Sequence, residues 1–218
     1  MRYVILPSTL ATMRLGIHPA WVPPKPRPFV GSPVYPPAYG RIAAPRIAGD
    51  NQTLSDCFPT AACNAVIDIA ARWGKTAPIT DADAVAAYKG MAGYDGTPAT
   101  DLGTIPETGF AWWQRNTIGG WILAEATPID PADEGEVRHA ISCGPVIFCQ
   151  ALSIENQNQR VLTAVGTGGS WGNHATAMDE FDGAITEGTS WGAQFYLDRS
   201  FTSSRVMAVY ALDVRLCA

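Results

Sequence analysis

Charge is scarce in this chain. Only 16% of its residues are Asp, Glu, Lys or Arg, against 47% that are hydrophobic. That balance excludes a disordered polyelectrolyte, and 218 residues of it can bury a real core in one large domain or two lobes. Acids are missing altogether ahead of Asp50, while Arg2, Arg14, Lys25, Arg27, Arg41 and Arg46 precede it. A basic arm therefore leads an acidic body. The net charge of −5 sets nucleic acid aside as a partner, and the arm's cations read as a solvated face. Long apolar runs are absent too. None approaches the ~20 residues of a membrane span, and Val4-Ile5-Leu6, cut by Pro7, is too short for the core of a signal peptide. No Walker loop, dinucleotide fingerprint or EF-hand sequence occurs, so no cofactor is expected. Histidine is rare, with His18, His139 and His174. His139 and Cys143 lie four apart on an expected helix, but two ligands without further partners do not make a metal site. Cys57, Cys63, Cys143, Cys149 and Cys217 are odd in number and mostly sit in apolar runs, the pattern of reduced thiols rather than of disulfides.

Proline is abundant, and it is concentrated at one end. Pro19, Pro23, Pro24, Pro26, Pro28, Pro33, Pro36, Pro37 and Pro45 deny residues 1–47 both helix and central-strand geometry. Trp21, Phe29, Tyr35 and Tyr39 are spaced among them. Such a segment is extended and needs a surface on which to pack, either its own body or a partner. The body, residues 48–218, opens with an expected helix from about Cys57 to Trp73, stopped by Gly74. Asp81–Lys89 reads as a second helix capped by Thr80 or Asp81, and Ile105–Asn116 as a third with Pro106 in its first turn. Trp112 and Trp113 on it are expected to pack the lobe. A fourth helix opens at Asp130-Pro131 and runs to Ser142, acids early and bases late. After Gly144 the period changes to that of strands, over 145–152, 161–165, 174–178, 195–197 and 205–214. Helices first and antiparallel strands later make an α+β body, with a helical lobe over about 48–143, a β lobe over about 144–218 and a cleft between them.

The chemistry in such a cleft centres on Cys57. A turn of small polar residues, Asp50-Asn51-Gln52-Thr53-Leu54-Ser55-Asp56, delivers this thiol to a helix N-terminus, where the helix dipole favours thiolate. A nucleophilic thiol needs an imidazole base, usually distant in sequence, and His174 is available. A buried cysteine that serves only as a small hydrophobe fits the same position. Gly168-Gly169-Ser170-Trp171-Gly172 matches the G-x-S-x-G pattern, but a β-like run follows where the nucleophile elbow requires a helix, so it reads as a glycine-rich hairpin.

Taken in order, these segments resemble the papain-like cysteine peptidases, particularly bacterial and phage forms with little proregion. The family's Asp-Gln-Gly-x-x-Gly-Ser-Cys entry is similar to Asp50–Cys57, and its Asp-x-Gly segment to Asp101-Leu102-Gly103. Its Gly-Pro-Val strand resembles Gly144-Pro145-Val146, its His-Ala strand His174-Ala175, and its Asn-Ser-Trp-Gly turn Thr189-Ser190-Trp191-Gly192. The resemblance spans residues 45–215 and implies a two-lobe fold whose substrate is a peptide or protein. It implies Cys57 as nucleophile, His174 as its base and then acid, and Thr189 in the place of the asparagine that orients the imidazole. Asn51, or Gln52 in a reshaped turn, would complete the oxyanion hole with the Cys57 amide. Asp101 and Gly103 would line the substrate groove, and Trp191 would shield the histidine.

The departures from the family pattern bear on activity rather than on fold. Thr189 is shorter-reaching than asparagine, and Asn51 is one methylene shorter than glutamine. Asp56 puts a negative charge beside the thiol, which raises its pKa. Two functions are therefore compatible with the chain. One is a thiol peptidase cleaving peptide bonds. The other is a papain-fold structural or binding module, such as a phage virion component whose residues 1–47 lie over neighbouring subunits. Either is expected in a host cytoplasm or a virion, with no membrane partner.

Overall fold

The computed structural model describes residues 16–29, 44, 46–50, 53–159, 161–162, 169–181, 185–190, 193–198, 202 and 204–217. Four helices come from the regions expected. Helix α1, Cys57–Arg72, is buried at every position from Cys57 to Ala70, because Ala61, Ala62, Ala65 and Ala70 let neighbours approach it on all sides. Helix α2, Asp81–Ala92, begins at Thr80, whose N–H is held by the Asp83 carboxylate at 2.8 Å, and outruns expectation by a turn to a left-handed Gly93. Helix α3, Pro106–Trp113, is shorter than expected at both ends, and α4 covers Glu134–Cys143 with the Asp133 side chain capping the Glu136 N–H.

The described strands are β1 Trp121–Ile129, β2 Val146–Ser153, β3 Val161–Leu162, β4 Ser170–Phe181, β5 Ile185–Ser190, β6 Ala193–Asp198 and β7 Val206–Leu216. They form one seven-stranded sheet in the order β1-β7-β2-β4-β5-β6-β3. Pairing is antiparallel except between β3 and β6. Strand β1 lies inside the stretch assigned to the helical lobe; Trp121-Ile122-Leu123 pairs with the far end of the chain, Val214–Leu216. Within the segment 168–172, Ser170 opens β4 and no helix follows, while Gly168 lies outside the described residues. The turn expected at 189–192 is occupied up to Ser190 by β5.

Alternation along the sheet divides the core. Strand β2 sends Ile147 and Cys149 to the face that packs on α1, and Val146, Phe148 and Leu152 to the face that carries α4. Phe58 of α1 meets Phe110 edge-on at 5.0 Å between centroids, and Phe110 meets Tyr210 of β7 at 4.8 Å, so three aromatics join helices to sheet. A second join is ionic. Arg46 bridges Asp68 of α1 and Asp179 of β4, while the Arg72 Nε sits 2.9 Å from Asp68. Burial pushes the Asp68 carboxyl up, and the two guanidinium groups oppose that push.

The described part of the proline-rich arm packs on its own chain. Ile17 and Trp21 are buried in the core beside α1, and the Trp21 indole donates to Glu107 at 2.8 Å. Farther on, the Arg27 N–H donates to the Pro128 carbonyl of β1, and the Phe29 N–H to Glu136 of α4. One extended segment thus touches α3, α4 and the sheet-edge strand β1.

Candidate active site

The head of α1 abuts β4, and the contact point is the thiol. Cys57 Sγ accepts the Ala175 N–H at 3.3 Å and, from the arm, the Gly16 N–H at 3.2 Å. His174 precedes Ala175 on β4, so the fold brings residues 117 apart in sequence (57 to 174) to neighbouring backbone positions, with the Ala175 N–H as the contact on the thiol. Both are buried, Cys57 to 1% exposure and His174 to 1%. That burial reverses the expectation of a dipole-activated thiolate. Desolvation pushes the Cys57 thiol up to about 12, against the help of the Ala175 and Gly16 amides, and Asp56 adds to the rise. Desolvation likewise depresses His174 to about 3. As the site stands, it holds a neutral thiol and a neutral imidazole.

The arm is what covers the thiol. Gly16-Ile17-His18 lies in the cleft as an extended segment that makes a single isolated bridge. The Thr104 N–H donates to the Gly16 carbonyl at 2.7 Å, and the His18 N–H donates to the Thr104 carbonyl at 3.1 Å. Ile17 pairs with Thr104 in parallel, and its own N–H reaches the Asn173 carbonyl on the opposite wall at 3.4 Å. Three backbone hydrogen bonds thus hold an extended segment to both walls of the cleft, with a fourth bond on the thiol.

The groove residues expected from the sequence separate in role. Gly103 is at the groove: its φ is +81°, and a Cβ there would meet the Gly16 carbonyl oxygen at 2.6 Å. Asp101 sits behind the groove rather than in it. Its carboxylate accepts the Ser55 N–H at 2.8 Å and the Tyr88 hydroxyl at 2.9 Å, which makes it a buried brace for the turn ahead of Cys57. Tyr88 closes the brace by accepting the Gly103 N–H. Sequence reasoning missed Thr104 and Asn173, which supply the backbone atoms that hold Gly16–His18. Both act through the backbone, so no side-chain signal marks them. Thr189 lies on β5 opposite Ala177 of β4, one strand from His174. Asn51, Gln52 and Trp191 lie outside the described residues.

At the other end of α1 a cavity of about 920 Å³ is lined by Ile69, Trp73, Trp121 and Leu216, with Arg27 and Arg215 at its edge. It contains neither Cys57 nor His174. His139 stands 3.7 Å from the Cys143 sulfur, a helix-end pair of the kind the sequence suggested, and the described residues contain no cluster able to hold a metal ion.

No protein-family model and no curated protein sequence matches the chain. Solved structures do. Xylellain, a cysteine protease from Xylella fastidiosa, superimposes with a TM-score of 0.60 at 11% identity over 98% of this chain and 91% of its own. The Carica candamarcensis cysteine protease CMS1MS2, in complex with E-64, gives 0.57 at 12% identity over 78% of this chain and 93% of its own. The proform of Amb a 11, a cysteine protease and ragweed pollen allergen, gives 0.54 at 17% identity; the match takes in 78% of this chain but only 62% of that longer one. Likeness at this identity establishes architecture. The chain has the papain-like two-lobe fold.

Proposed function

We propose that the chain is a thiol peptidase whose described arm segment occupies its substrate groove and holds it latent. The observation that carries this reading is the Gly16 N–H on Cys57 Sγ, with Gly16–His18 bonded to both walls of the cleft. A cleft that fixes an extended backbone against a cysteine thiol supports a peptide as its substrate. That one of the similar structures is a proform accords with a leading segment over the cleft.

Departure of Gly16 opens Sγ to water and lifts the desolvation that holds the thiol up, which favours ionisation of Cys57 with His174 as the acceptor of its proton. The thiolate then attacks a peptide carbonyl carbon, forming a C–S bond. The C–N bond breaks as the His174 imidazolium gives its proton to the leaving amine. Water, deprotonated by the same imidazole, attacks the thioester and releases a carboxylic acid and the free thiol. Thr189 is assigned to orienting His174 from the neighbouring strand, and Asn51 or Gln52 to the oxyanion with the Cys57 amide.

Hydrolysis of unfolded casein by the full chain tests this. Gly16→Val puts carbon where the Ser55 carbonyl oxygen stands, 2.0 Å from an ideal Cβ, and so unseats the arm. The variant is expected to hydrolyse casein faster than wild type, and Cys57→Ala in the same background to abolish the gain. Absence of Cys57-dependent hydrolysis in Gly16→Val contradicts the reading. It favours a second one, a papain-fold binding module, to which the fully buried neutral thiol and imidazole lend support.

A further inference from the structure

Asp56 is the residue least like a bystander that the mechanism above leaves unused. It is fully buried, at 0% exposure, immediately before the nucleophile. As N-cap of α1 it makes no side-chain bond to the helix. One carboxylate oxygen, Oδ2, instead accepts the Asp50 N–H at 2.9 Å, tying the turn at Asp50 to the head of α1. The other, Oδ1, is buried with no hydrogen-bond partner among the described residues, and so is the Thr60 hydroxyl one helical turn on. Both side chains close on Gly49, where a Cβ would meet Thr60 Oγ1 at 2.0 Å and Asp56 Oδ2 at 3.0 Å, at a φ of +63°. A carboxylate so placed has no capping role, and a merely packed residue would not be a carboxylate.

We propose that Asp56 is a positioning residue of this site, fixing the Asp50 turn to the helix head and setting the charge beside the Cys57 sulfur. The inference rests on the thiol-peptidase reading. The groups that face Asp56 are Asp50 from the turn, Asp101 from the loop before α3, and Cys57 and Cys63 on its own helix. Asp81, at the head of α2, holds the Ala48 and Gly49 N–H groups close by, and His174 lies one residue from the Ala175 amide on the thiol. The charged groups acting on Asp56 most strongly are acids. Burial pushes its carboxyl up to about 7, and Asp50 and Asp101 add to the push. Below that pH the residue is a neutral acid, and the thiol ionises without a neighbouring anion. Above it the carboxylate opposes the thiolate, so the usual rise of thiol reactivity with pH is blunted from about 7 upward.

The test is the rate of Cys57 alkylation by iodoacetamide between pH 5.5 and 9, sites read by mass spectrometry, in the full chain and in Asp56→Asn. The isosteric amide retains an acceptor for the Asp50 N–H and removes the charge. Above pH 7 the variant is expected to react roughly three- to tenfold faster than wild type, with the blunting gone. Superimposable profiles overturn the proposal. Should Asp56→Asn fail to fold, the carboxyl carbon of Asp56 in wild type, followed by NMR, decides it: a midpoint near 7 supports the inference, and one near the ordinary 3.8 overturns it. His174 cannot supply the inflection, since burial holds it neutral down to about 3. No peptide is turned over in either experiment. Failure here therefore leaves the casein assay to judge the peptidase reading, and failure there leaves these profiles intact.

Discussion

At the scale of single residues, environment has outweighed position. Cys57 begins a helix, where the dipole is worth about a kcal/mol or less toward thiolate, yet burial carries the thiol the other way, to about 12. The sequence showed the helix start and could not show the covering segment, so the residue was legible and its protonation was not. Asp101 illustrates the same limit. The family resemblance put it in the groove beside Gly103, whereas in the structure its carboxylate accepts from the Ser55 amide and the Tyr88 hydroxyl. Asp101→Ala strands two buried donors, and a loss of about 2–4 kcal/mol in denaturant unfolding is expected. Asp101→Asn, which keeps one acceptor, should lose less.

At the scale of elements, α1 carries the fold. Its alanines admit close neighbours, and α3 exploits this at Gly109, where a Cβ would stand 2.4 Å from the Phe58 ring. Gly109→Ala is expected to destabilise by about 1–3 kcal/mol despite its better helix propensity, as read from urea midpoints. Arg46, assigned at first to a solvated basic arm, belongs instead to the buried group with Asp68, Arg72 and Asp179. Arg46→Met should cost several kcal/mol, about 3–5, because it leaves Asp179 and Asp68 under-compensated. The helices were legible because caps and breakers such as Thr80, Pro106 and Gly93 act locally. Strand β1 was not. Trp121-Ile122-Leu123-Ala124-Glu125-Ala126 alternates poorly, and its partner, β7, lies at the far end of the chain.

At the scale of the molecule, two buried groups near the cleft pull stability in opposite directions with pH. Asp56 has its folded pKa raised from 3.8 to about 7, so its contribution is complete below about 4 and is lost as pH rises through 7. His174 has its folded pKa lowered from 6.5 to about 3, so its contribution is present above about 6.5 and is lost as pH falls toward 3. Each is on the order of 4 kcal/mol across its window. Between about 4 and 6.5 the two slopes oppose, and these groups together should leave stability nearly flat there. In urea titrations, Asp56→Asn should make stability climb through that range, and His174→Gln should make it fall. Parallel curves for all three proteins would contradict these assignments.

The arm joins these scales, since Gly16 on the thiol and the extended segment Gly16–His18 bonded to both walls are one feature. The proline count suggested a segment needing a surface, and the described stretch finds that surface on its own body, anchored at Trp21, Arg27 and Phe29. The most direct test of the account is the rate of Cys57 alkylation by iodoacetamide at pH 7 in wild type and in Gly16→Val. A covered thiol predicts slow labelling in wild type and acceleration of at least about tenfold in the variant, as the opening of roughly 1.4 kcal/mol of cover would give. Equal rates in the two proteins would mean that Gly16 does not guard the nucleophile, and the latent-peptidase account would fail with it.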